Sequence, residues 1–174
     1  MSLIPQSWKA RKNFAAEGKV ALLVGVLLAI GIYAHAYAMP RGTMLILRGI
    51  AADNAPKGQL DDFSATLYAL RGGYGGQVLD VAGGTGEQMK MTLDRIHNDP
   101  NVTAIYGFSG GAYTTANLWN QLTPQEKSRI RKIVIVGAPG VTAQSFPGAA
   151  NVVVQDDPPE GHMEGPRALL QSWK

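Results

Sequence analysis

The sequence predicts an α/β fold, a three-layer α/β/α sandwich around a small, mostly parallel five-stranded sheet, preceded by an N-terminal membrane-spanning or signal helix. Three observations predict it. Short apolar runs alternate with stretches of helical periodicity from residue 43 onward. Residues 20–39 carry no formal charge. A basic cluster stands just before that run, and the rest of the chain is electrically balanced.

The charge decides the N-terminal elements. The chain of 174 residues has a formal net charge of +3. Lys9, Arg11, Lys12 and Lys19 against Glu17 account for all of it. A basic isoelectric point of this origin marks a membrane flank, not a nucleic-acid surface. Residues 1–19 are therefore expected to stay in the cytoplasm. Residues 20–38 are long enough to cross a hydrocarbon core of about 30 Å as a helix. Two readings of this segment stand. Ala36-Tyr37-Ala38 has the small-x-small form of a signal-peptidase site. The long basic flank and the spanning length favour a retained anchor. In either case residues 39–174 form the working domain outside the cytoplasm, anchored or secreted.

Within that domain, strands are expected at 44–47, 78–81, 102–106, 133–136 and 152–154. Between them, Leu60, Phe63, Leu67 and Leu70 share one helical face over 60–70. Met89, Leu93 and Ile96 do the same over 87–98, as do Thr115, Leu118, Trp119 and Leu122 over 112–122. Thr123-Pro124-Gln125-Glu126 has the form of a capping box with proline at the first helical position. Pro166 opens a last helix that presents Leu169, Leu170 and Trp173. The chain contains no cysteine, so a disulfide framework and a cysteine metal site are both excluded.

Two glycine motifs compete for the chemistry. The first is Val78-Leu79-Asp80-Val81-Ala82-Gly83-Gly84-Thr85-Gly86. It resembles the first motif of Rossmann-like S-adenosylmethionine methyltransferases, which implies cofactor contact at Gly83, Gly84 and Gly86. That family wants an acidic residue at the end of the next strand, where this chain has Gly107-Phe108-Ser109. The plainer reading is a tight strand-to-helix turn.

The second motif is Gly107-Phe108-Ser109-Gly110-Gly111. An apolar strand precedes it and a helix follows, which is the setting of a nucleophile elbow. A serine hydroxyl needs a base at neutral pH. Of the histidines past the apolar run, His97 reads as a solvated residue at a helix C-terminus. His162 lies in the loop after the last strand, behind Asp156 and Asp157. The chain order is then Ser, Asp, His. Parallel strands bring their carboxyl ends to one edge, where Ser109 and the aspartates can converge.

With these residues in place, 43–174 resembles the α/β-hydrolase superfamily, in the size range of cutinase-like and small lipase-like serine esterases. The resemblance implies Ser109 as nucleophile, His162 as general base and then acid, and an aspartate that orients the imidazole. Asp157 is the choice, because the following prolines can fix it, with Asp156 beside it as the alternative. It also implies an oxyanion hole from the backbone N–H of Gly110 and of Ile50, in Arg48-Gly49-Ile50 after the first strand. Three features depart from the family. The Asp–His spacing is short, no segment is long enough for a large cap, and the disulfides common in cutinases are absent. The implied reaction is hydrolysis of a small or lipid-like ester or thioester at an open site, without metal or organic cofactor. The alternatives are a catalytically silent, membrane-tethered binding module of the same fold, the methyltransferase, and an amidase or peptidase with the same triad.

Overall fold

A computed structural model of the chain describes residues 41–50 and 60–172. The basic flank 1–19, the apolar run 20–38 and Trp173 lie outside the described residues. Among the described residues no helix is long and apolar enough to cross a membrane.

The elements run β1 (Thr43–Leu47), α1 (Leu60–Arg71), β2 (Gly75–Leu79), α2 (Gly86–Asn98), β3 (Val102–Phe108), α3 (Gly110–Trp119), α4 (Pro124–Arg129), β4 (Lys132–Val136), β5 (Val152–Gln155) and α5 (Gly165–Ser172). The five strands form one sheet in the order β2-β1-β3-β4-β5. Every pairing is parallel. The expected α/β class and five-stranded sheet are thus present, and the sheet is wholly parallel.

Parallel strands buried on both faces must be apolar at successive positions. β1 shows this directly. Leu45 and Leu47 face one core, with Ile105, Ile133 and Ile135 from the neighbouring strands and with Ile96, Ala112, Leu118 and Trp119 from α2 and α3. Met44 and Ile46 face the other, with Ala104, Tyr106, Val134 and Val136, and with Ala65, Tyr68 and Ala69 of α1 and Leu169 of α5. Helices therefore cover both faces of the sheet. β3, at its centre, is buried at all seven positions.

Two expectations needed correction. The second strand is Gly75–Leu79, earlier than the expected 78–81. It is an edge strand paired only with β1, so its glycines are tolerated. A Cβ on Gly76 would stand 3.3 Å from Ile46 and from Thr66, so the bare backbone lets α1 lie close. The Val81 N–H then bonds the Leu79 carbonyl at 2.9 Å and turns the chain out of the sheet. The second correction concerns α1. Its small residues Ala65 and Ala69, with Tyr68, meet the sheet. Phe63 and Leu70, from the leucine-rich stripe, are 60% and 58% exposed.

The capping box forms as expected. Thr123 Oγ1 accepts from the Glu126 N–H at 3.3 Å, and Glu126 Oε2 accepts from the Thr123 N–H at 2.8 Å.

Candidate active site

Ser109 joins the end of β3 to the start of α3. Its φ of 51° and ψ of −118° make it the one non-glycine residue at positive φ among the described residues. Such a conformation costs on the order of 1–3 kcal/mol and persists only where the surroundings enforce it. Here they do. The Ser109 N–H donates to the Val136 carbonyl at 2.9 Å, tying the turn to β4. A Cβ on Gly107 would stand 2.7 Å from Ala112 Cα, so only glycine lets α3 turn back this tightly over β3. The side chain of Ser109 is half-buried, at the N-terminus of α3.

The loop after β5 folds back over the same edge. The Gly161 N–H bonds the Pro158 carbonyl at 3.0 Å and closes a turn around the two prolines. His162 follows, and its Nδ1 lies 2.8 Å from Oδ1 and 2.9 Å from Oδ2 of Asp157. The imidazole stacks on Phe108, with centroids 4.9 Å apart and planes 24° apart. Phe108 is the residue before Ser109, so the elbow and the imidazole share a neighbour. The pair also packs over the end of β4. A Cβ on Gly137 would stand 2.6 Å from Asp157 Oδ1 and 2.8 Å from His162 Cε1.

Of the two aspartates, Asp157 therefore meets the histidine. Asp156 contributes its carbonyl to Gln155 Nε2 at 2.9 Å. With Nδ1 held by a carboxylate, Nε2 is the free imidazole nitrogen. Ser109 Oγ makes no hydrogen bond among the described residues, so aspartate and histidine are joined and serine and histidine are not.

Gly110 and Ile50 are also neighbours. A Cβ on Gly110 would stand 2.7 Å from Ile50 Cγ1. Among the described residues neither N–H has a backbone partner. At the first position of a helix this leaves a donor at the positive end of the helix dipole.

The competing glycine turn has a packing role. The Gly83 N–H bonds the Gly49 carbonyl at 2.9 Å, and the Gly84 N–H bonds Thr114 Oγ1 at 3.1 Å. A Cβ on Gly83 would stand 2.8 Å from the Gly111 nitrogen. These amides are engaged by the protein itself. His97 is not a free surface residue, as its Nδ1 meets Glu126 Oε1. Burial acts to raise the pKa of Glu126. Hydrogen bonds from the Thr123 N–H and hydroxyl and from His97, with the charge of His97, outweigh it and hold the carboxyl below its ordinary value.

The sequence reading missed the framework behind the site. Arg48 is 2% exposed and extends from the end of β1. Its Nε donates to Asp62 Oδ1 at 3.1 Å and its Nη1 to Asp80 Oδ1 at 2.9 Å. Gln88 is fully buried, donates to the Arg48 and Val81 carbonyls, and accepts from Thr114. These two side chains lock the loop after β1, the turn after β2 and the start of α3 together. A charge directly after an apolar strand was the only local signal for Arg48. Nothing local signals Gln88. Among the described residues no group of three or more histidine and acidic side chains is placed to hold a metal ion. A groove of about 320 Å³ along α2, lined by Leu79, Met91, Asp94, Arg95 and Asn98, shares no residue with the site.

No protein-family model matches the chain. No curated protein matches it either. The functional reading therefore rests on the geometry.

Proposed function

We propose that the chain is a serine hydrolase of the compact α/β-hydrolase kind, an esterase that works through an acyl-serine intermediate. The carrying observation is the Asp157–His162 pair stacked on Phe108, the residue before the strained Ser109, at the carboxyl edge of β3, β4 and β5. That edge is where open parallel sheets bind ligands.

In this reading Ser109 Oγ attacks the ester carbonyl carbon as His162 Nε2 takes its proton. Asp157 holds the imidazole in the tautomer with Nε2 open and stabilises the cation. The N–H groups of Gly110 and Ile50 receive the developing oxyanion. Collapse breaks the C–O bond, and the leaving alkoxide takes the proton from His162. Water, deprotonated by His162, then attacks the acyl-serine, releases the acid and restores the serine. The half-exposed imidazole suits an open site for an accessible or lipid-like ester. No metal or organic cofactor enters these steps. The N-terminal apolar run attaches the domain to a membrane, or directs its secretion. Labelling of Ser109 by a fluorophosphonate tests the reading.

One observation favours a second reading. The missing hydrogen bond between Ser109 and His162 fits a catalytically silent, membrane-tethered binding module of the same fold. Catalytic hydrogen bonds are often loose without substrate, so the enzyme reading is compatible with the gap. The methyltransferase reading has no comparable support, because the amides of Gly83 and Gly84 are already engaged.

A further inference from the structure

We propose that the outward face of α1 is a bilayer-docking surface, an inference that goes beyond the hydrolase reading and rests on residues 20–39 being a retained membrane anchor. Phe63, Leu67 and Leu70 recur at the spacing that puts them on one stripe of a helix. The opposite stripe of α1 meets the sheet through Ala65, Tyr68 and Ala69. Phe63 and Leu70 are exposed at 60% and 58%, and Leu67 is half-buried. Two large side chains this exposed, with Leu67 between them on one stripe, offer an apolar surface to a partner.

The chain itself points to the occupant. The uncharged run ends at Met39, and only Pro40 separates it from Arg41. The Arg41 N–H bonds the Gly73 carbonyl at 2.6 Å, two residues past the end of α1. Two residues reach about 7 Å at most. A run seated in a bilayer would therefore hold the C-terminal end of α1 close to the headgroups. Arg41 and Arg71 are exposed at that end, where guanidinium groups can pair with the phosphates that every phospholipid headgroup carries. At the other end of the stripe, Asp62 beside Phe63 bonds Arg48, in the loop that carries Ile50. A docked α1 would thus keep the carboxyl edge of the sheet at the membrane surface.

The absence of cysteine allows a clean test. Phe63→Cys, Leu70→Cys and, on the opposite side of the sheet, Lys90→Cys are each labelled with a nitrobenzoxadiazole dye in the full chain. Each is reconstituted in vesicles of phosphatidylcholine and phosphatidylglycerol. Docking predicts emission shifted to shorter wavelength, and lost to brominated lipid, at positions 63 and 70 but not at 90. A chain that floats with the vesicles yet shows the same emission at all three positions overturns docking and leaves the anchor standing. A chain that does not float overturns the anchor and docking together. Cross-linking of Phe63→Cys between copies, with no quenching by lipid, assigns the face to a second copy and overturns the proposal.

Discussion

Asp157 grips His162 through one nitrogen, with Nδ1 within 2.9 Å of both carboxylate oxygens, and so leaves Nε2 as the open nitrogen of the ring. The arrangement separates two adjacent aspartates by role. Asp157→Asn presents an amide that stabilises neither the right tautomer nor the cation. It should lower kcat for ester hydrolysis by about 10³–10⁴-fold. Asp156→Asn should stay within a few-fold of wild type. Steady-state kinetics on a chromogenic ester check both.

Gly137 tests whether the pair must sit where it does. Its φ of 60° disfavours any side chain, and a Cβ would meet Asp157 and His162. Gly137→Ala should reduce kcat and lower the melting temperature together. Gly83→Ala should lower stability and shift the loop that carries Ile50, because its Cβ would run into the Arg48 carbonyl and stand 2.8 Å from backbone atoms of Gly49 and Gly111, away from the pair. Overpacking of this kind costs about 1–3 kcal/mol. Urea unfolding of the two variants measures it.

Arg48 is the charge at the centre of the framework. Its removal leaves Asp62, itself buried, without its guanidinium. Arg48→Met should lower stability, by less than the loss of about 3–5 kcal/mol for a fully buried pair, because Asp80 is half-exposed. Equilibrium urea unfolding at neutral pH checks this.

Glu126 gives a pH dependence with a definite sign. Its folded pKa lies below the ordinary value of 4.5. The charged form is therefore the one the fold stabilises. That stabilisation is complete above about pH 4.5 and is lost as pH falls through the depressed folded value. Glu126→Gln should melt below wild type at pH 7, and the gap should narrow as pH falls below 4.5. Paired thermal melts across that range show whether it does.

These residues also show what sequence alone could reveal. The turn at Ser109, the acidic pair after β5 and the histidine behind it were legible as candidate positions because they follow the ends of strands. A strand, a glycine-flanked serine and a helix leave few alternatives for the turn. The loop after β5 carries its own turn residues, Pro158, Pro159 and Gly161. The choice between Asp156 and Asp157 was not legible, since adjacent residues differ only in direction. β2 was misplaced because Gly75 and Gly76 have the composition of a turn, while the parallel partner that makes them a strand is over 30 residues away. α1 was misread for a related reason. Its most apolar stripe is not the one the sheet accepts, because close packing on Gly76 needs the alanines. Arg48 and Gln88 act through partners distant in the chain, and no local pattern encodes such contacts.

The most direct test of the central claim is labelling of the full chain with a fluorophosphonate, followed by mass mapping of the adduct. The hydrolase reading predicts one adduct, on Ser109. It should be absent in Ser109→Ala and strongly slowed in His162→Ala, whose fold should be otherwise intact. A folded wild-type protein that takes no label at Ser109, or a Ser109→Ala variant that retains full esterase activity, would contradict it.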